Sequence, residues 1–204
     1  MNSTAQHSAY LQLLQESISK LDTEVLDRIT QLFFEAYERG AQFFIFGNGG
    51  SAATASHIAG DYVKGASLGL DKRFKFICLN DNASAVMAIS NDLSYEEIFI
   101  EQLKNFMHKG DVVIGISGSG NSINVLKAME YAKNNGAHTL GFCGYKGGKL
   151  KELAELSLHA EVMDMEIAED IHLIAFHTIK QALIKRIHGS MQVSMGSTYD
   201  ARIK

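Results

Sequence analysis

Apolar residues recur at close to helical spacing over the first twenty or so positions, at Tyr10, Leu11, Leu13, Leu14, Ile18 and Leu21. This spacing predicts a first helix, because residues three and four apart share a face. Asp22 stands where an N-cap belongs, and Val25, Ile29, Leu32, Phe33 and Ala36 carry the same period on to Gly40. A second helix, capped by the aspartate and stopped by the glycine, is predicted there. Beyond Gly40 the pattern changes, and short, wholly apolar runs alternate with amphipathic stretches. Residues 42–46, 74–79, 112–116 and 138–143 read as strands, with a weaker fifth over 156–162. Helices are predicted over about 52–64, over 83–108 with a break near 91–94, through Val125, Leu126, Met129 and Ala132, and over about 167–187.

Strands that are apolar throughout and alternate with helices predict an α/β fold: a five-stranded parallel sheet covered on both faces. With no linker, internal repeat or low-complexity stretch, residues 1–188 are expected to form a single domain. Residues 189–204 lack an apolar pattern and read as a flexible tail. The last helix is apolar around most of its circumference, at Ile171, Leu173, Ile174, Phe176, Ile179, Leu183 and Ile187 among others. Such a helix is buried on several sides, and burial partly by a second subunit of a homo-oligomer is expected.

Composition narrows the field of functions. With 204 residues and 46 % apolar content, the chain is long enough for a sizeable core. A net charge of −4 gives no basic footprint, which argues against nucleic-acid binding. No run approaches the roughly 18 apolar residues of a membrane span. The mixed polar character of residues 1–30 carries no secretion signal, so a cytoplasmic protein is expected. Cys78 and Cys143 both lie within apolar segments and read as buried free thiols of a reduced compartment.

Two glycine-rich loops each follow a predicted strand and open a helix, where backbone N–H groups and the helix dipole favour an anion. The first, from Gly47 through Asn48, Gly49, Gly50 and Ser51 to Ala52, fits G-x-G-x-x-A. A dinucleotide site would need an acidic residue about 20 positions further on. The nearest one at a strand end is Asp81, 34 positions beyond Gly47, which argues against that use. The second loop, from Ser117 through Gly118, Ser119, Gly120 and Asn121 to Ser122, offers three hydroxyls beside the amides of a helix start. That suits the oxygens of a phosphomonoester better than a plain turn would require, and the G-K-[ST] ending of a nucleotide loop is absent.

Candidate chemistry beyond the loops lies on two helices. His57 and Asp61, four apart, share one helix face and could bind a metal or simply each other. Glu169, Asp170, His172 and His177 interrupt the apolar last helix, and polar groups buried there need partners. His172 reads as a packing or interface residue. Glu169 and His177 are eight residues apart, about 12 Å along a helix, so spacing alone does not bring them to one ion.

Taken in order, GNGGS at 47–51, SND at 90–92 and GISGSGNS at 115–122 resemble the SIS family, and within it the phosphoheptose isomerases, over about residues 5–188. The resemblance implies a flavodoxin-like three-layer sandwich and an aldose–ketose isomerase acting on a phosphosugar. Sedoheptulose 7-phosphate would be converted through an enediol to a D-glycero-D-manno- or D-glycero-D-altro-type heptose 7-phosphate. It further implies a homotetramer with sites at subunit interfaces, and one zinc ion (Zn2+) per site held by His57, Asp61, Glu169 and His177. Substrate contacts map onto Asn48, Gly49, Gly50, Ser51, Asn91, Asp92, Ser117, Gly118, Ser119 and Ser122. The base at carbon would be Asp61 or Glu169, with His177 moving protons at the oxygens. Four positions depart from the family pattern: Asp61 replaces a glutamate, Glu169 a glutamine, Gly118 a threonine and Gly65 an arginine. The competing readings are a non-catalytic SIS protein that binds a sugar phosphate or assists assembly, and an isomerase or lyase of another phosphosugar.

Overall fold

The computed structural model describes residues 3–191, with side chains to residue 187. Two helices, α1 (Ser3–Ser19) and α2 (Thr23–Arg39), precede the first strand, β1 (Gln42–Gly47). The α2 boundaries follow the sequence signals. The Asp22 carboxylate accepts the amides of Glu24 and Val25 at 2.9 and 3.1 Å. At the other end Gly40 adopts φ 71°, which a residue with a Cβ reaches only with strain. Then come α3 (Gly50–Gly60), β2 (Lys75–Cys78), α4 (Ala83–Asp92), α5 (Ile100–Phe106), β3 (Val112–Ser117) and α6 (Ile123–Asn134). The chain continues through β4 (His138–Cys143), α7 (Gly148–Leu153), β5 (Leu156–His159) and α8 (Met165–Met191).

All five strands are parallel, in the order β2-β1-β3-β4-β5. Alternate residues of each strand feed opposite layers, which is why the runs are apolar throughout. Phe43, Ile45, Val112, Ile114, Leu140 and Phe142 pack beneath α2, α3 and α8. Phe44, Phe46 and Val113 point the other way, into a core shared with Phe99, Leu103, Val125 and Met129. An aromatic nest fixes the first layer, with Phe43 and Phe76 stacked at 4.7 Å and Tyr62 on Phe76 at 4.4 Å.

Several elements differ from expectation. The helix expected over 52–64 is α-helical only to Gly60 and continues as a π turn over Asp61–Ala66. The fifth strand ends at His159, short of 162. Helix α7 was not expected, and its six residues bury only Leu150. Helix α8 extends beyond 187 to Met191, so the expected tail at 189–204 begins as helix, and residues 192–204 lie outside the described part. Within the chain, Phe176, Ile179, Leu183 and Ile187 are buried against α2, α3 and the sheet, and Ile167 and Ile171 pack with Ala160, Val162 and Leu14, while Leu173, Ile174 and Ile184 stay partly exposed. Helix α1 keeps apolar surface open, with no buried residue and Leu11 at 63 % exposure.

Among the described residues no helix is long and apolar enough to cross a membrane. Cys78 and Cys143 are free and buried, and burial pushes their thiols up to about 12 and about 11. His172 is fully buried beside Phe142, and neither ring nitrogen has a hydrogen-bond partner. Desolvation drives its pKa from 6.5 down to about 4; the Cys143 backbone opposes this but lies outside hydrogen-bonding geometry. Between those two values the unfolded chain takes a proton that the folded chain refuses, so stability falls as pH drops through that window. Chemical denaturation from pH 7 to pH 4.5 is expected to cost the wild type about 2 kcal/mol more than His172→Leu. Identical acid dependence in the two proteins would remove His172 as the cause.

Candidate active site

Strand β1 leads outward to β2, whereas β3 leads the other way to β4, so the crevice beyond their carboxyl ends is the switch point of the sheet. Both glycine-rich loops open there, and they enclose a cleft of about 260 Å3. Asn48, Gly49, Gly50 and Ser51 line it from one side, and Ser117, Gly118, Ser119 and Ser122 from the other. Met165 and Glu169 of α8 complete the wall.

The serine hydroxyls converge. Ser117 Oγ lies 3.0 Å from Ser122 Oγ and 3.5 Å from Ser119 Oγ, while the Asn121 amide donates to Ser119 Oγ at 3.2 Å. The loop is held from behind by the β4–α7 connection. Gly144 donates to the Gly118 carbonyl at 2.8 Å and Leu150 to the Gly120 carbonyl at 2.9 Å. On the other side, Asn48 and Asn124 exchange reciprocal amide bonds at 2.9 Å, and Tyr95 donates its hydroxyl to Asn48 Oδ1 at 2.8 Å. Asn80 clamps Gly47, accepting its N–H at 3.2 Å and donating to its carbonyl at 2.9 Å.

A second group of side chains gathers at the far end of α3. His57 Nε2 and His177 Nε2 are 3.1 Å apart. Asp61 Oδ2 lies 3.9 Å from the first and 3.6 Å from the second. One ligand atom from each of these three residues falls within 4.8 Å of the others. Two imidazole nitrogens and one carboxylate oxygen are the donor set of a three-ligand site with an open position, so the residues present fit a metal ion such as zinc. The structure therefore brings together three of the four expected ligands. Glu169 is elsewhere: its carboxylate lies against Gly50 at the start of α3, on ground that a Cβ at that position would occupy. Burial, then Glu166 and Asp170, raise its pKa. Asn91 and Asp92 are exposed at the end of α4, bonded to each other at 2.8 Å, and do not line the cleft.

The SIS domain model matches residues 6–144 of this chain. A phosphoheptose isomerase of Helicobacter pylori is 39 % identical over 171 residues, covering 84 % of this chain and 88 % of the relative. The chain belongs to the phosphoheptose isomerase family of SIS-domain proteins. A protein of Thermoplasma volcanium named as a probable phosphoheptose isomerase is 36 % identical over 172 residues, covering 84 % of this chain and 87 % of its own. The solved phosphoheptose isomerase of Neisseria gonorrhoeae superposes with a TM-score of 0.81 at 26 % identity, covering 89 % of this chain and 96 % of that one. By family the protein is a sugar-phosphate isomerase.

Set in an SIS phosphoheptose isomerase, the departures acquire physical reasons. A Cβ on Gly118 would meet the Met165 sulfur, so the glycine admits Met165 over the serine loop. A Cβ on Gly65 would lie 3.1 Å from Lys180 Nζ, so α8 supplies a cation beside the position where an arginine was expected. Sequence reasoning missed Asn80, Tyr95, Asn124 and Met165. Only Asn80 carried a signal, as a polar residue just past an apolar strand and hence at the crevice. Tyr95 and Asn124 reach Asn48 across 47 and 76 residues of chain, which no local pattern reports.

Proposed function

We propose that the protein isomerises sedoheptulose 7-phosphate to an aldoheptose 7-phosphate through an enediol, with a zinc ion held by His57, Asp61 and His177. The observation that carries this reading is the placement of two groups along two neighbouring helices, the serine-loop cleft at one end and the histidine–carboxylate group at the other. Gly50 and Glu169 mark the phosphate end of α3 and α8; His57 and His177 mark the other end. Seven and eight residues separate the members of each pair, roughly 10–12 Å at helical rise. An extended heptose phosphate spans a comparable distance, with its phosphate among the serines and its carbonyl at the histidines.

When bound, the ion supplies Lewis-acid polarisation of an oxygen at that end. Proton transfer between C1 and C2 falls to Asp61 as base, with His177 serving the two oxygens. Glu169, a helix length away, is placed to accept a hydrogen bond from a sugar hydroxyl near the phosphate. The three hydroxyls of Ser117, Ser119 and Ser122 hold the phosphate together with the loop amides. A homotetramer, with Asn91 and Asp92 at sites shared between subunits, is part of the proposal. The apolar surface of α1, at Tyr10, Leu11, Leu13 and Ile18, supports the association. The two buried free thiols fit a cytoplasmic setting.

Purified zinc-supplemented protein given sedoheptulose 7-phosphate is expected to form aldoheptose 7-phosphate and to exchange a carbon-bound proton with solvent. Proton exchange with a different phosphosugar and none with this one would redirect the substrate. No exchange across a panel of phosphosugars would sink the isomerase reading.

A further inference from the structure

We propose that Lys180 is a positioning residue that competes with the metal ion for Asp61, and so sets how tightly this site holds the ion. The inference rests on the metal reading above. Lys180 Nζ lies 2.6 Å from Asp61 Oδ2. That same oxygen faces both imidazoles, at 3.6 Å from His177 Nε2 and 3.9 Å from His57 Nε2. It is therefore the carboxylate atom that an ion between the histidines would take.

The ammonium reaches it through a local adaptation of the backbone. Lys180 follows His177 by three residues on α8, so both side chains leave the same helix face. The lysine side chain is mostly buried, at 18 % exposure. It passes over Gly65, where a Cβ would stand 3.1 Å from Nζ and 3.4 Å from Cε. Gly65 itself sits in the π turn over Asp61–Ala66, which begins at the carboxylate in question. The turn sets the direction of Asp61, and the glycine leaves the lane open for the lysine.

A zinc–carboxylate bond is about 2.0–2.2 Å long. With the ammonium still on Oδ2, the two cations would stand within about 5 Å of each other on one oxygen. Like charges that close, in a partly buried setting, repel strongly. Lysine is a compact charge on a flexible stem and can swing away. Entry of the ion thus requires Lys180 to leave Oδ2, and its departure subtracts from the affinity. Lysine and ion hold Asp61 in alternation.

The test is zinc binding to metal-stripped protein, measured by competition with a chromophoric chelator at constant pH and salt. Lys180→Met keeps the bulk of the side chain and removes the charge; it is expected to tighten zinc binding at least about tenfold. Lys180→Arg, which keeps the charge, is expected to bind no more tightly than wild type. Zinc is also expected to raise the melting temperature of Lys180→Met more than that of wild type. A role confined to packing, or to orienting Asp61 for the ion, would weaken binding instead. Equal or weaker affinity in Lys180→Met overturns the inference and leaves the metal reading standing. Zinc binding by neither protein removes both. Lys180→Gln serves if the methionine variant does not fold, as judged by circular dichroism.

Discussion

His177→Ala is expected to lower kcat/KM for sedoheptulose 7-phosphate by about 10³-fold or more, within the range of lost acid–base catalysis. The ring contributes twice in this site: its Nε2 lies 3.1 Å from His57 Nε2 and 3.6 Å from the Asp61 carboxylate. Removing it takes a proton carrier from the sugar oxygens and one of three ligand atoms from the metal group. Fold stability should change little, because the side chain is partly exposed and its contacts are polar. Steady-state kinetics paired with thermal melting separates the two effects. KM should move far less than kcat, since the proposed phosphate seat is at the opposite end of the helices. A variant with full turnover would remove His177 from the chemistry, and one that fails to fold would give it a structural role instead.

Gly120→Ala is expected to destabilise the protein by about 3 kcal/mol and to abolish measurable binding of sugar phosphate. Two effects add. Gly120 has φ +67°, a region that costs a residue with a Cβ about 1 kcal/mol or more. Its Cβ would also fall on the Gly147 carbonyl, 2.6 Å from the carbonyl carbon and 3.0 Å from Gly148 Cα. These are backbone atoms and cannot rotate aside. Gly118→Ala is the informative control, because its Cβ would meet only the Met165 thioether end. That side chain is flexible, so a loss below about 1 kcal/mol is expected there. Chemical denaturation and calorimetric titration with sugar phosphate measure both variants. Equal stability of Gly120→Ala and wild type would show that the loop is not fixed from behind.

Much of the fold was readable because each signal was local. Asp22 and Gly40 bound α2 as their chemistry dictates. The strand β4, His138–Cys143, was legible residue for residue because both of its faces are covered. What escaped was set by tertiary contacts. The π turn after Gly60 has no propensity signature, and α7 is too short to show a period. Helix α8 is buried on several sides, as its apolar circumference predicts, and this chain's own α2, α3 and sheet supply much of the cover.

The site divided in the same way. The serine loop and the first glycine loop lie on contiguous residues, and both line the cleft as expected. His57 and Asp61 share a helix face, so their meeting followed from spacing. That His177 joins them while Glu169 does not depends on how α8 lies beside α3. Eight residues of helix, about 12 Å of rise, separate the two, and within this chain the Glu169 carboxylate lies against Gly50.

The backing of the serine loop has a consequence for how such an enzyme can change its substrate. A mutation at Gly120 or Gly148 strikes main chain, so the proposed phosphate anchor has almost no neutral variants through which to drift. The opposite end is built from side chains on two helices, where exchanging Asp61, Gly65 or Lys180 alters chemistry without moving a backbone. New specificities are therefore reached most easily by editing the sugar's reacting end while its phosphate stays where it is. A Cβ on Gly118, the one departure from the family within the loop, would meet only the flexible end of Met165, so this position is free to vary where Gly120 is not.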